Sequence, residues 1–132
     1  MGQKYLIAAV SALVLAAGPA LAGSYRMMFD IFSPGGIECT ASPPPGGAVK
    51  LSRGIAGNPV VSVFGGELRR AEITCTLPDG SRWQATGHRM LRPGTMRAEG
   101  MVLVRPGAPS GVTLMQVDGQ DEAVMGSFVP LR

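Results

Sequence analysis

Residues 71–86 read AEITCTLPDGSRWQAT, and this stretch decides the fold. Ala71, Ile73, Cys75 and Leu77 alternate with Glu72, Thr74 and Thr76, the period-two pattern of a strand with one dry and one wet face. Pro78-Asp79-Gly80 then breaks the alternation. Proline fixes φ and glycine accepts the left-handed conformation that a tight turn needs. Beyond the turn Trp83 and Ala85 take the inward side, with Arg82, Gln84 and Thr86 outward. The segment is an antiparallel hairpin.

Working outward, the same alternation recurs in short runs. Tyr25, Met27, Phe29 and Ile31 share one face of a first strand, opposite Arg26, Met28 and Asp30. After a Ser-Pro-Gly-Gly turn at residues 33–36, Ile37, Cys39 and Ala41 share a face of a second. Val49 and Leu51 mark a third and Val60 to Phe64 a fourth. Downstream of the hairpin, Thr95 to Val104 forms a longer strand, and Val112 to Val117 with Ala123 to Val129 makes a last hairpin. Glycine and proline are abundant, 19 and 11 residues, near the proportion at which disorder sets in. They cluster between the alternating runs, which argues for turns in an ordered chain. No run beyond residue 22 carries a helical period. The expected fold is all-β, an antiparallel β-sandwich or small barrel of about eight short strands.

The N-terminus reads differently. Lys4 precedes an apolar run from Tyr5 to Ala17, and Gly18-Pro19-Ala20-Leu21-Ala22 ends it with helix breakers and an Ala-x-Ala site. That is the layout of a cleavable signal peptide over residues 1–22, and the run is too short to span a bilayer, which takes about 20 residues. The expected mature protein is a single β domain, residues 23–132, in the periplasm or secreted. Cys39 and Cys75 are the two cysteines, and an even pair behind an export signal reads as a disulfide. Their bridge is expected to tie the second strand to the 71–86 hairpin, with Trp83 as its companion in the core.

Chemistry is approached by elimination. The chain has one histidine, His88, which removes most acid–base schemes. There is no nucleophile elbow, no zinc-protease helix, no phosphate-cradling glycine loop and no dinucleotide fingerprint. With both cysteines oxidised, no thiolate nucleophile remains. A formal net charge of +3 for the whole chain gives little drive toward nucleic acid.

Four constellations stay in view. His88 and Met90, with Met96 nearby, offer an imidazole and thioethers suited to copper(I). Arg82, His88, Arg89, Arg92 and Arg97 form a run without an acid between Asp79 and Glu99, able to hold a carboxylate or phosphate if folded onto one face. Asp118, Asp121 and Glu122 crowd one turn, although without the alternate spacing of a calcium loop. A hydrolase built on a carboxylate pair is a further alternative, with no acid singled out. In size, address and single bridge the chain is similar to small periplasmic inhibitors of lysozyme and of proteases, a likeness of architecture from which function does not follow. The sequence thus points to an exported, non-enzymatic binding module, inhibitor-like or an accessory subunit, that acts on a protein or anionic partner. A copper-binding protein using His88 and Met90 is the alternative from another class.

Overall fold

The computed structural model describes residues 23–54, 56–105, 107 and 109–131. The leader read at residues 1–22 lies outside the described residues. Nine strands form one sheet: β1 (Ser24–Phe29), β2 (Glu38–Ser42), β3 (Gly47–Arg53), β4 (Pro59–Gly65), β5 (Glu72–Thr76), β6 (Arg82–Ala85), β7 (Arg97–Leu103), β8 (Gly111–Val117) and β9 (Gln120–Pro130). Their order is β2-β5-β6-β9-β8-β7-β1-β4-β3. The two ends of the sheet, β2 and β3, come back together, so the sheet rolls into a nearly closed barrel. Across that seam the Arg53 guanidinium donates to both Glu38 oxygens at 2.7 and 2.8 Å. Among the described residues there is no α-helix, only two 3-10 turns at Leu68–Arg70 and Gly87–Met90, and no helix long and apolar enough to cross a membrane.

Alternation places the core inside the barrel. Tyr25, Met27, Val61, Val63, Ile73, Val102 and Phe128 are all buried to 1% exposure or less. Burying an apolar side chain of this size stabilises a fold by about 1.5–3 kcal/mol. The strip is continuous because directly paired residues point the same way: Tyr25 faces Val63 on one side and Ala98 on the other. Two glycines make this possible. A Cβ on Gly100 would stand 2.7 Å from the Tyr25 hydroxyl and 2.8 Å from Thr113 Cγ2, so only glycine lets the tyrosine ring lie across β7. Gly126, at φ +67°, takes up the register shift between Gly111 and Val112, a bulge that returns Phe128 to the interior.

The 71–86 hairpin forms as β5 and β6, with Cys75 opposite Trp83. Cys39 and Cys75 are directly paired residues of β2 and β5 and are joined by the disulfide. Trp83 stacks on Phe128, ring centres 5.3 Å apart, and its indole N–H donates to Ser81 Oγ.

Three details differ from expectation. Seven of the eight strand pairings are antiparallel, but β1 and β7 run parallel. Alternation fixes which face a residue takes, not the direction of a distant neighbour. Ile31, assigned inward, lies beyond the end of β1 and is 73% exposed. His88, offered with Met90 as a copper ligand, is buried in the second 3-10 turn, which packs against the first.

Candidate functional site

The outward positions of β4, β1, β7 and β8 are apolar along one row. Register aligns Met28 with Met101 and Met101 with Leu114, and Val60 follows Met28 across β4. This row, with Leu103 beside it, floors an outer-surface cleft of about 770 Å³, within the size range of small-ligand sites. Met101 and Leu114 are 39% and 48% exposed.

Two turns wall the cleft. In the first, Ile31 and Phe32 each stand 73% exposed. Such exposure on a loose loop would mean little, but this turn is fixed. The Asp30 carboxylate accepts from Arg105 Nη1 and Nη2 at 3.1 and 2.6 Å and from Ser33 Oγ at 2.6 Å. Val104 N–H in turn donates to Ser33 Oγ at 3.4 Å, and the Arg105 guanidinium lies over the Phe32 ring, 5.8 Å from its centre. The hydrogen bonds from Arg105, then that from Ser33, hold Asp30 below the usual carboxylate range against the opposing effect of burial. The second wall is the 54–58 turn, closed by Gly54 N–H on Asn58 O and by Arg53 Nη1 on Gly57 O. Asn58 is 5% exposed, and its side-chain oxygen has no partner among the described residues.

Charge gathers at one margin. The next outward row down the barrel runs Lys50–Ser62–Arg26–Glu99, since Ser62 pairs with both Lys50 and Arg26 and Arg26 pairs with Glu99. Glu99 is shared between Arg26 at 3.9 Å and Arg97 at 3.5 Å. Lys50 makes no ion pair among the described residues. The margin is cationic.

The residues singled out from sequence are dispersed by comparison. Arg82 lies on β6 and Arg97 on β7, with β9 and β8 between them in the sheet. Arg89 pairs with Glu72 at 3.1 Å. Arg92, Met90 and Met125 border a different groove, at the β8–β9 hairpin. His88 is wholly buried whereas Met90 is 68% exposed, so one ion held by both would require the imidazole to leave its seat. Met96 is half exposed, beside the Asp118 turn. Asp118 accepts the backbone N–H groups of Met96 and Arg97. Among the described residues no group of three His, Cys, Asp or Glu side chains is placed to hold a metal.

His88 does structural work of its own. Ala71 O can only accept, so its 2.6 Å contact with Nε2 makes Nε2 the protonated nitrogen. Nδ1 is then a buried lone pair without a partner among the described residues. Burial pushes the imidazole pKa down, more than the Ala71 bond raises it. Folding therefore favours neutral His88, while the unfolded chain takes up a proton near pH 6.5. Stability is expected to be flat above that pH and to fall as pH drops below it. As His88 is the only histidine, His88→Gln should flatten the slope between pH 7.5 and 5.5 in urea unfolding. An equal slope in the variant would assign the dependence elsewhere.

What sequence reading missed is the cleft. Alternation places Met28 outward, but only the strand order β4-β1-β7-β8 makes Leu114 part of the same row, and Phe32 lies beyond β1 where alternation does not apply. A usable signal was present: aliphatic or Met residues occupy both faces of β7, whereas β5 keeps one face polar. Compared with protein families, curated proteins and solved structures, the chain matches none.

Proposed function

We propose that this chain is an exported, non-enzymatic binding module, and that it captures its partner by an apolar group seated in the cleft. One observation carries the reading: Ile31 and Phe32, each 73% exposed, stand on a turn that the Asp30–Arg105 pair holds rigid beside an apolar floor. Large contiguous apolar surface is uncommon on a domain that works alone. Aromatic anchors in fixed geometry are the usual source of binding energy, and a turn already ordered spares the cost of ordering it on association. Export is supported by the leader at residues 1–22 and by the disulfide, since such bonds persist in oxidising compartments.

The test uses a neutral apolar dye, N-phenyl-1-naphthylamine, whose fluorescence rises in an apolar site. Phe32→Asp and Met101→Asp are expected to weaken its binding by about tenfold or more, the loss of one apolar contact of this size. Phe32 is exposed, so that variant should keep the parent's thermal midpoint. Undiminished dye binding in both variants would refute the cleft as the binding surface.

A further inference from the structure

We infer that the cleft takes a single-chain anionic amphiphile, an acyl chain ending in a carboxylate. The chain lies along Val60, Met28, Met101 and Leu114, and the head meets Arg26 and Lys50. This inference rests on the binding reading above and narrows it to one class of occupant.

The floor lacks free backbone hydrogen-bonding groups. Peptide ligands that add to a sheet do so at an edge, where backbone N–H and C=O groups are free. Here the floor crosses β4, β1, β7 and β8, each paired on both sides, so its backbone groups are already in ladders. An extended peptide seated on it would bury its own N–H and C=O groups against methionine and leucine, at a cost for each unpaired group. An acyl chain has no such groups to satisfy.

Charge selects an anionic head. Arg26 and Lys50 flank Ser62 in one outward row, immediately beside the apolar row that contains Val60 and Met28. Their Cα atoms are separated by about two strand spacings, roughly 10 Å, a gap that two long cationic side chains close around one carboxylate. Lys50 has no acidic partner among the described residues, and Arg26 shares its only one, Glu99, with Arg97. Asp30, the acid in the cleft wall, is neutralised by Arg105. Arg53, also in the wall, pairs with Glu38 on the surface, where such a pair exchanges at little cost.

Shape favours a single chain over a bilayer. Ile31 and Phe32 of one turn and Gly54, Ala56 and Asn58 of the other line the cleft beside the floor, which makes the site a groove. A flat bilayer would touch the turns and leave the floor empty.

The experiment is a titration of the mature protein, carrying ¹³C-methyl methionine, with laurate at pH 8 below its micelle concentration. Met28 and Met101 line the cleft, whereas Met27 and Met115 are interior and Met90 and Met125 border another groove. Laurate should shift the Met28 and Met101 methyl signals to saturation at one equivalent and leave the other five, Met96 among them, in place. Neutral dodecyl maltoside should bind at least about tenfold more weakly, as should laurate to the Arg26→Glu, Lys50→Glu double variant.

Equal binding of laurate and maltoside would overturn the anionic head, and so would full laurate affinity in the double variant. If that variant fails to fold, the laurate–maltoside comparison on the parent protein decides alone. Laurate shifts centred on Met90 and Met125 would overturn the placement. No laurate shift at Met28 and Met101, with the naphthylamine still bound, would overturn the amphiphile and leave the cleft as a binding surface for a protein segment. Failure of both probes would overturn the two readings together.

Discussion

Phe128→Ala is expected to destabilise the fold by about 3–5 kcal/mol, the usual cost of emptying a large aromatic site in a core. Phe128 is fully buried. Its ring meets Phe29 edge-on at 5.6 Å and stacks on Trp83 at 5.3 Å, so truncation removes two aromatic contacts along with the buried area. Collapse into the gap is restricted, because Phe128 pairs with Ala85 of β6 and with Gly111 of β8. Neither neighbour has a side chain long enough to fill it. Trp83 is the single tryptophan and touches the site, so its fluorescence reports both unfolding and local rearrangement. Urea unfolding gives the number. A loss under about 1 kcal/mol, a small fraction of what core truncations cost, would mean that the Phe29–Phe128–Trp83 stack is not central to the core.

Much of this core was legible in sequence. Period-two alternation puts Tyr25, Met27, Phe29, Ile73, Cys75 and Ala85 on inward faces, and all six are buried. The rule works because a residue's face depends only on parity within its own strand. The Pro78-Asp79-Gly80 turn was equally legible, being local: Gly80 stands at φ +87° and its N–H bonds to Leu77 O. Local rules fail at strand ends. Ile31 keeps the parity of an inward residue, yet the chain has left the ladder by then, and the Asp30–Ser33 hydrogen bond turns it outward.

The cleft was illegible for another reason. Its floor comes from strands far apart in sequence, and the β1–β7 pairing that joins them is the parallel one. Hairpin signals specify neighbours joined by short turns; they carry no information on a pairing closed through a long connection. His88 shows the same limit on a smaller scale. From sequence, a lone histidine beside Met90 offers itself as a metal ligand. Its buried seat in the second 3-10 turn depends on Ala71 O and on the Tyr25 ring, 5.7 Å away, neither of which its own neighbourhood in the chain announces.

Replacing both cysteines, Cys39→Ala with Cys75→Ala, is expected to destabilise the protein by roughly 3–4 kcal/mol, from loop closure in the unfolded chain. Its native-state consequences should be local. The two cysteines face each other across β2 and β5, and β2 ends the sheet, with one hydrogen-bonded neighbour. Its other side is tied to β3 by the exposed Arg53–Glu38 pair, and such pairs contribute little. Without the bridge, β2 is therefore held by one ladder and a weak seam. Its amides should exchange faster than those of β5, while β8 and β9, paired on both sides, keep their relative protection. The effect should also reach the cleft. Arg53 that bonds Glu38 also bonds Gly57 O in the second wall, so a freed β2 leaves the 54–58 turn with less support and naphthylamine binding should weaken. Hydrogen exchange separates local from global loss. If β2 and β5 amides lose protection equally, the disulfide acts only on the unfolded chain, and the seam stands without it.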